Sequence, residues 1–122
     1  MLTFQLLSSE TSKPTMKGFN EIGYEIYAAE EKVVWPKSRA FIDTSIRFTF
    51  PYNYYGLIIS LPEHAEHSID VSASIINNET ESVKVLVINN SDLEFHVYKR
   101  ERIALMVVNK FFDHGVLYEY CV

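Results

Sequence analysis

Short apolar runs, broken by turn residues about every ten positions, constrain this chain more than any other feature of its sequence. Strict alternation, as in Ile46-Arg47-Phe48-Thr49-Phe50 and Phe95-His96-Val97, has the two-residue period of a half-exposed strand. Continuous runs, Val85-Leu86-Val87-Ile88 and Ile103-Ala104-Leu105-Met106-Val107-Val108, suit strands buried on both faces. The stretch from Ile69 to Ile76 reads as one buried strand ending on Asn77-Asn78, residues that tolerate left-handed backbone angles. Turn chemistry separates these runs at Lys13-Pro14, Asn20, Trp35-Pro36, Pro51-Tyr52-Asn53, Pro62, Asn77-Asn78, Asn89 to Asp92 and Asp113-His114-Gly115. Helical periodicity is hard to find. The pattern predicts an all-β sandwich or barrel, and 122 residues suffice for a single domain (1–122) with one core and no disulfides.

Composition narrows the function classes. A chain that is 48% hydrophobic and 14% aromatic is globular rather than disordered. A formal net charge of −5 argues against a general nucleic-acid binder, which needs clustered cations to neutralise phosphates. The densest basic cluster, Lys99-Arg100-Glu101-Arg102, is interrupted by an acid and reads as a solvated turn. Cys121 is the only cysteine, so an intramolecular disulfide framework is excluded. The start, MLTFQLL, is too short for a signal-peptide core, and no apolar run approaches membrane-spanning length. An intracellular location, cytoplasmic or nuclear and not secreted, is expected. The glycosylation-type triplets Asn78-Glu79-Thr80 and Asn89-Asn90-Ser91 then carry little meaning.

Few residues suggest chemistry on their own. Gly18, Gly23, Gly56 and Gly115 are the only glycines, too far apart to build a phosphate-cradling loop. Asp43 and Asp70 fall inside strand-like runs, where an acid must be paired or face water. Pro62-Glu63-His64-Ala65-Glu66-His67 sets two histidines among two glutamates, but without further ligands it reads as solvated charge on a loop. His96 and His114 are isolated, no serine lies in a nucleophile elbow, and Cys121 lacks a base partner. From the residues alone no catalytic constellation, metal site or cofactor site assembles.

The order of segments nevertheless resembles a known family. Gly23-Tyr24-Glu25-Ile26-Tyr27-Ala28, Ala40-Phe41-Ile42-Asp43-Thr44 and Pro51-Tyr52-Asn53-Tyr54-Tyr55-Gly56 are similar to the first half of trimeric dUTPases. Ile69-Asp70-Val71, Val85 to Ser91 and Phe95 to Ala104 follow the second half in order and spacing. The resemblance implies a dUTPase-like β-sandwich or distorted jelly-roll barrel, with residues 109–122 as a C-terminal strand or tail. It also implies hydrolysis of dUTP through five motifs and magnesium, and here the motifs depart from the family. Glu25 stands where a metal-side aspartate is usual. Ser60-Leu61-Pro62-Glu63 replaces a phosphate-binding Pro-Arg-Ser-Gly. Asn77 stands at the position of the water-activating aspartate, and Asn78 to Ser82 contains no aromatic sugar platform. Leu105 replaces a polar residue in Arg100-Glu101-Arg102-Ile103-Ala104-Leu105, and the glycine-rich C-terminal arm is missing.

These departures imply a degenerate, non-catalytic member working through protein–protein contacts, similar in kind to the dUTPase-derived adenoviral early-region adaptors. On this expectation Glu25, Asn77 and Leu105 are only counterparts of a lost site, no enzyme activity or cofactor remains, and the chain is a viral accessory or regulatory protein. The tail Glu119-Tyr120-Cys121-Val122 fits the hydrophobic-x-hydrophobic class of PDZ ligand, with Tyr120 and Val122 as its contacts. A packed C-terminal strand reaching a neighbouring subunit of a homotrimer is the competing reading. A structural or assembly β-domain and a divergent active dUTP pyrophosphatase stay open as alternatives. Binding to nucleic acid or membrane is not expected.

Overall fold

The computed structural model describes residues 1–16, 23–78, 81–112, 115 and 119. Among them run β1 (Thr3–Leu6), β2 (Thr15–Met16), β3 (Tyr24–Tyr27), β4 (Lys32–Val34), β5 (Ser38–Asp43), β6 (Ile46–Thr49) and β7 (Tyr54–Ile59). A one-turn helix, α1 (Pro62–Ala65), follows, and then β8 (Ile69–Val71), β9 (Ser74–Ile76), β10 (Lys84–Asn89), β11 (Phe95–Val97) and β12 (Arg102–Lys110). The all-β expectation holds. The described strands pair antiparallel in four groups: β2-β3-β12-β7-β9, β5-β10-β8, β1-β6 and β11-β4. No helix among the described residues is long and apolar enough to cross a membrane.

Burial follows period in the central strands, whereas β1 and β2 are exposed throughout. In β6, Ile46 and Phe48 are buried while Arg47 is half-buried and Thr49 exposed. In β12, Ile103 to Met106 are all buried, as expected of a strand lying between β3 and β7. β10 departs from the expected two-sided burial: Val85, Val87 and Asn89 are buried, but Leu86 and Ile88 are half-covered. Ile26, Ile42, Ile46, Ile58, Ile103 and Met106, each at most 2% exposed, form the centre of the core.

The run Ile69 to Ile76 is not one strand. Its first part, β8, pairs with β10, and its second, β9, pairs with β7. Ser72 N donates to Leu86 O at 3.0 Å, a last bond toward β10, before Ser72-Ala73 carries the chain to the other group of strands. Apolar residues recur on both sides of the break, and both strands send side chains into the same core, Ile69 and Val71 from β8 and Ile76 from β9.

The Pro62 to His67 segment also differs from the expected loop. Proline begins a helical turn readily, because its missing N–H is one that the first turn leaves unbonded anyway. Pro62 starts α1, and His64 stands edge-on to the Phe95 ring, 5.3 Å between centroids. His64 is therefore half-covered by that ring, while Ala65, Glu66 and His67 beside it stay exposed as expected.

Candidate functional site

The central row of the five-stranded group carries two of the residues singled out from sequence. Leu105 on β12 is the register partner of Glu25 on β3 and of Ile59 on β7. A β-bulge precedes this row: Arg102 pairs with Tyr27 and Ala104 with Ile26, leaving Ile103 as the extra residue. Bulges re-aim the side chains beside them. Arg102 Nη1 lies 3.1 Å from Glu25 Oε1, and Arg102 Nη2 lies 3.4 Å from Glu63 Oε1 on α1. Tyr27 OH donates to Glu25 Oε2 at 3.3 Å and stands 2.7 Å from Thr15 Oγ1 on β2.

Arg102 thus joins β12, β3 and α1. Its hydrogen bond to Glu25 and then the charge of that carboxylate push the guanidinium further above its usual value. The Glu25 side chain is 13% exposed, so its charge is held largely out of water, with a cation at one oxygen and a hydroxyl at the other. Of the basic cluster expected as a solvated turn, Lys99 and Arg100 occupy the turn, whereas Arg102 opens β12 and makes this bridge. Sequence reasoning missed the bridge. The available signal was a cation directly before the apolar run Ile103 to Val108.

The first two residues at the expected phosphate motif turn inward, while Pro62 is exposed. Ser60 Oγ accepts from Val71 N at 2.8 Å, and Leu61 is fully buried. Asn77, exposed just beyond β9, accepts from Asn78 N through Oδ1 at 2.9 Å. Asn78 clamps the end of β6: its Oδ1 accepts from Phe50 N at 2.6 Å, and its Nδ2 donates to Phe50 O at 3.3 Å. Within one chain Asn77 and Glu25 do not converge. β12 and β7 lie between β3 and β9, which sets them roughly 14 Å apart across the sheet at about 4.8 Å per strand, and by register they are a further ~13 Å apart along it.

Other polar residues serve the fold. Asp43 Oδ1 accepts from Ser45 N at 2.9 Å and from Ser82 Oγ at 2.8 Å. His96 contacts Glu31 Oε1 at 2.7 Å and stacks on Tyr98. Both glycosylation-type asparagines are engaged, Asn78 with Phe50 and the fully buried Asn89 with Val34 and Leu93. Tyr120 and Val122, proposed as PDZ contacts, lie outside the described residues, as do His114 and Cys121.

The implied magnesium does not fit the donors present. Leu105 offers no ligand atom, both Glu25 oxygens are in use, and among the described residues no three of His, Cys, Asp and Glu gather as ligands. No chemical step is derived through a metal ion.

A family model described as dUTPase matches residues 10–119. The chain is 31% identical over 115 residues to a probable deoxyuridine 5'-triphosphate nucleotidohydrolase of Schizosaccharomyces pombe, covering 93% of this chain and 82% of that one. It is 37% identical over 90 residues to the deoxyuridine 5'-triphosphate nucleotidohydrolase of Avian adenovirus 8, covering 72% and 55%. A structure of Staphylococcus bacteriophage 80alpha dUTPase with dUpNHpp superimposes with a TM-score of 0.90 at 19% identity, covering 100% of this chain and 89% of that one. This last likeness shows the fold.

The sequence relatives correct the expectation of a degenerate, non-catalytic protein acting through protein contacts. Proteins about 30% identical over most of the chain are named as nucleotide hydrolases, and nothing in the comparisons marks a degenerate, non-catalytic member. Most of the departures from the family motifs are replacements of single side chains. Recognition of a nucleotide also uses backbone N–H and C=O groups, which a side-chain replacement leaves in place.

Proposed function

Because the chain belongs to the dUTPase family, we propose that it is an enzyme that hydrolyses dUTP to dUMP and pyrophosphate. The likeness to named nucleotidohydrolases over about nine-tenths of the chain carries this reading. Glu25 and Arg102 supply a fixed acid and a fixed cation on neighbouring strands. Asn77 occupies the position of the attacking-water contact. A neutral amide orients water by hydrogen bonding but does not remove its proton at neutral pH, so turnover is slow. The proposal includes homotrimeric assembly inside the cell. Glu25 and Asn77 are far apart within one chain, and copies packed together supply the missing neighbours.

The test is a dUTP turnover assay on the full chain in magnesium buffer, with dCTP as the competing substrate. Release of dUMP above the protein-free blank, with dUTP preferred over dCTP, is expected. Asn77→Asp restores a general base and is expected to raise the rate by ~10²–10⁴. Turnover by neither the natural chain nor Asn77→Asp, in protein of unchanged circular dichroism, would falsify the reading.

A further inference from the structure

Away from the Glu25–Arg102 bridge, a cavity of about 310 Å³ opens between the start of β8, the end of the α1 turn and the β10–β11 connection. Ile69, Leu93 and Phe95 give it apolar walls, and His67, Ser91 and Glu94 bring polar atoms. Its volume is at the lower end of small-molecule sites, enough for one ring with a short chain.

The rim is built by hydrogen bonds. Asn89, fully buried at the end of β10, donates through Nδ2 to Val34 O at 3.0 Å and to Leu93 O at 2.7 Å. Its Oδ1 accepts from Ser91 N at 3.0 Å and from Ser91 Oγ at 2.7 Å. Ser91 Oγ in turn accepts from Leu93 N at 3.2 Å. At the next position Asn90 N donates to Ser68 O at 2.9 Å, tying the connection to the β8 side of the cavity. His64 supports the Phe95 ring edge-on. The connection is pre-organised, so a ligand meets walls already in place. Leu93, its backbone held by these bonds, stands 76% exposed at the mouth.

Charge selects the ligand. Asp92 lies between two lining residues, but Lys37 Nζ stands 3.5 Å from its carboxylate. Glu94 has no ion-pair or hydrogen-bond partner among the described residues, so its carboxylate is the uncompensated charge at the mouth. We infer that this cavity binds a small organic cation, a molecule with an apolar ring or branched chain and one protonated amine. The apolar part covers Leu93, Phe95 and Ile69, and the ammonium meets Glu94. This site is independent of the dUTP reading.

Phenethylamine is the probe, and phenylacetate its anionic counterpart of similar size. Amide shifts in ¹⁵N-labelled full-length protein are followed at low salt. Phenethylamine is expected to move the Ser91, Glu94 and Phe95 resonances saturably, with a Kd on the order of millimolar. Phenylacetate binds about 5-fold or more weakly, and Glu94→Gln removes that preference. Leu93→Ser weakens both ligands, and because Leu93 and Glu94 are exposed the two variants keep the natural chain's spectrum elsewhere. Equal binding of the two probes, a preference that survives Glu94→Gln, or no shift at these residues at tens of millimolar phenethylamine overturns the inference.

Discussion

His64 shows how a residue that looks solvated in sequence becomes part of the packing. The Pro62 to His67 stretch is rich in charge, and nothing in its composition shows that one turn of helix aims a ring at Phe95, more than thirty residues further on. Burial pushes His64 below the usual histidine value of about 6.5, outweighing the nearby carboxylates of Glu63 and Glu101, while Arg102 and His67 add to the lowering. The folded protein therefore resists protonating this ring more than the unfolded chain does. As pH falls through about 6.5 toward the lowered folded value, the unfolded state binds more protons and stability declines. Above that window the stability is fully present. His64→Phe keeps an aromatic edge against Phe95 without the titration, so its melting temperature is expected to fall less between about pH 7.5 and 5.5 than that of the natural chain. Parallel curves for the two proteins would remove His64 as the cause. Asn77 and Asn78 teach a related lesson. Both were legible as residues that end a strand, though neither adopts the left-handed backbone, and the clamp of Asn78 on Phe50 joins residues distant in sequence that no local pattern encodes.

Elements were legible where one strand keeps one set of neighbours. β6, β11 and β12 lie where their alternation or apolar runs put them. The Ile69 to Ile76 run looks continuous because Ile69, Val71, Ala73 and Ile75 keep a two-residue period, but burial passes from Ile69 and Val71 to Ile76 and the partner strand changes from β10 to β7. The change of partner brings β9 against β7 at a close contact. Gly56 on β7 is the register partner of both Ile76 and Val108. A Cβ there would stand 2.8 Å from Ile76 Cγ1, 2.8 Å from Phe50 Cζ and 3.1 Å from Met106 Sδ. Two of these are side chains at most 3% exposed, Phe50 and Met106, with little room to withdraw. Gly56→Ala is expected to destabilise the protein by about 1–3 kcal/mol, read as a lower urea midpoint with an unchanged slope. A midpoint equal to that of the natural chain would mean that β9 moves away from β7 at little cost.

At the scale of the molecule, the fold was legible because turn chemistry and segment order agree along most of the chain. The site was not, because its parts are dispersed over the sheet. Glu25 lies on β3 and Asn77 beyond β9, with β12 and β7 between them, so motifs scored one at a time carry no information about what meets them in an assembly. The surface points to an assembly. Both outer strands of the five-stranded group are short and carry exposed apolar residues, Met16 on β2 at 72% and Ile75 on β9 at 68%. Such edges, left uncovered, invite uncontrolled pairing with other chains. Closed threefold packing covers like surfaces on every copy at once and stops growth. Sedimentation equilibrium at tens of micromolar is therefore expected to give about 43 kDa, three chains of 14.2 kDa. Ile75→Lys places a charge on the exposed face of β9 without touching the core, so it is expected to shift the mass toward one chain while leaving circular dichroism unchanged. If hydrolysis needs neighbouring copies, dUTP turnover per chain falls with the trimer fraction as that variant is diluted. A natural chain that sediments as a monomer while turning over dUTP would show instead that one copy holds a complete site.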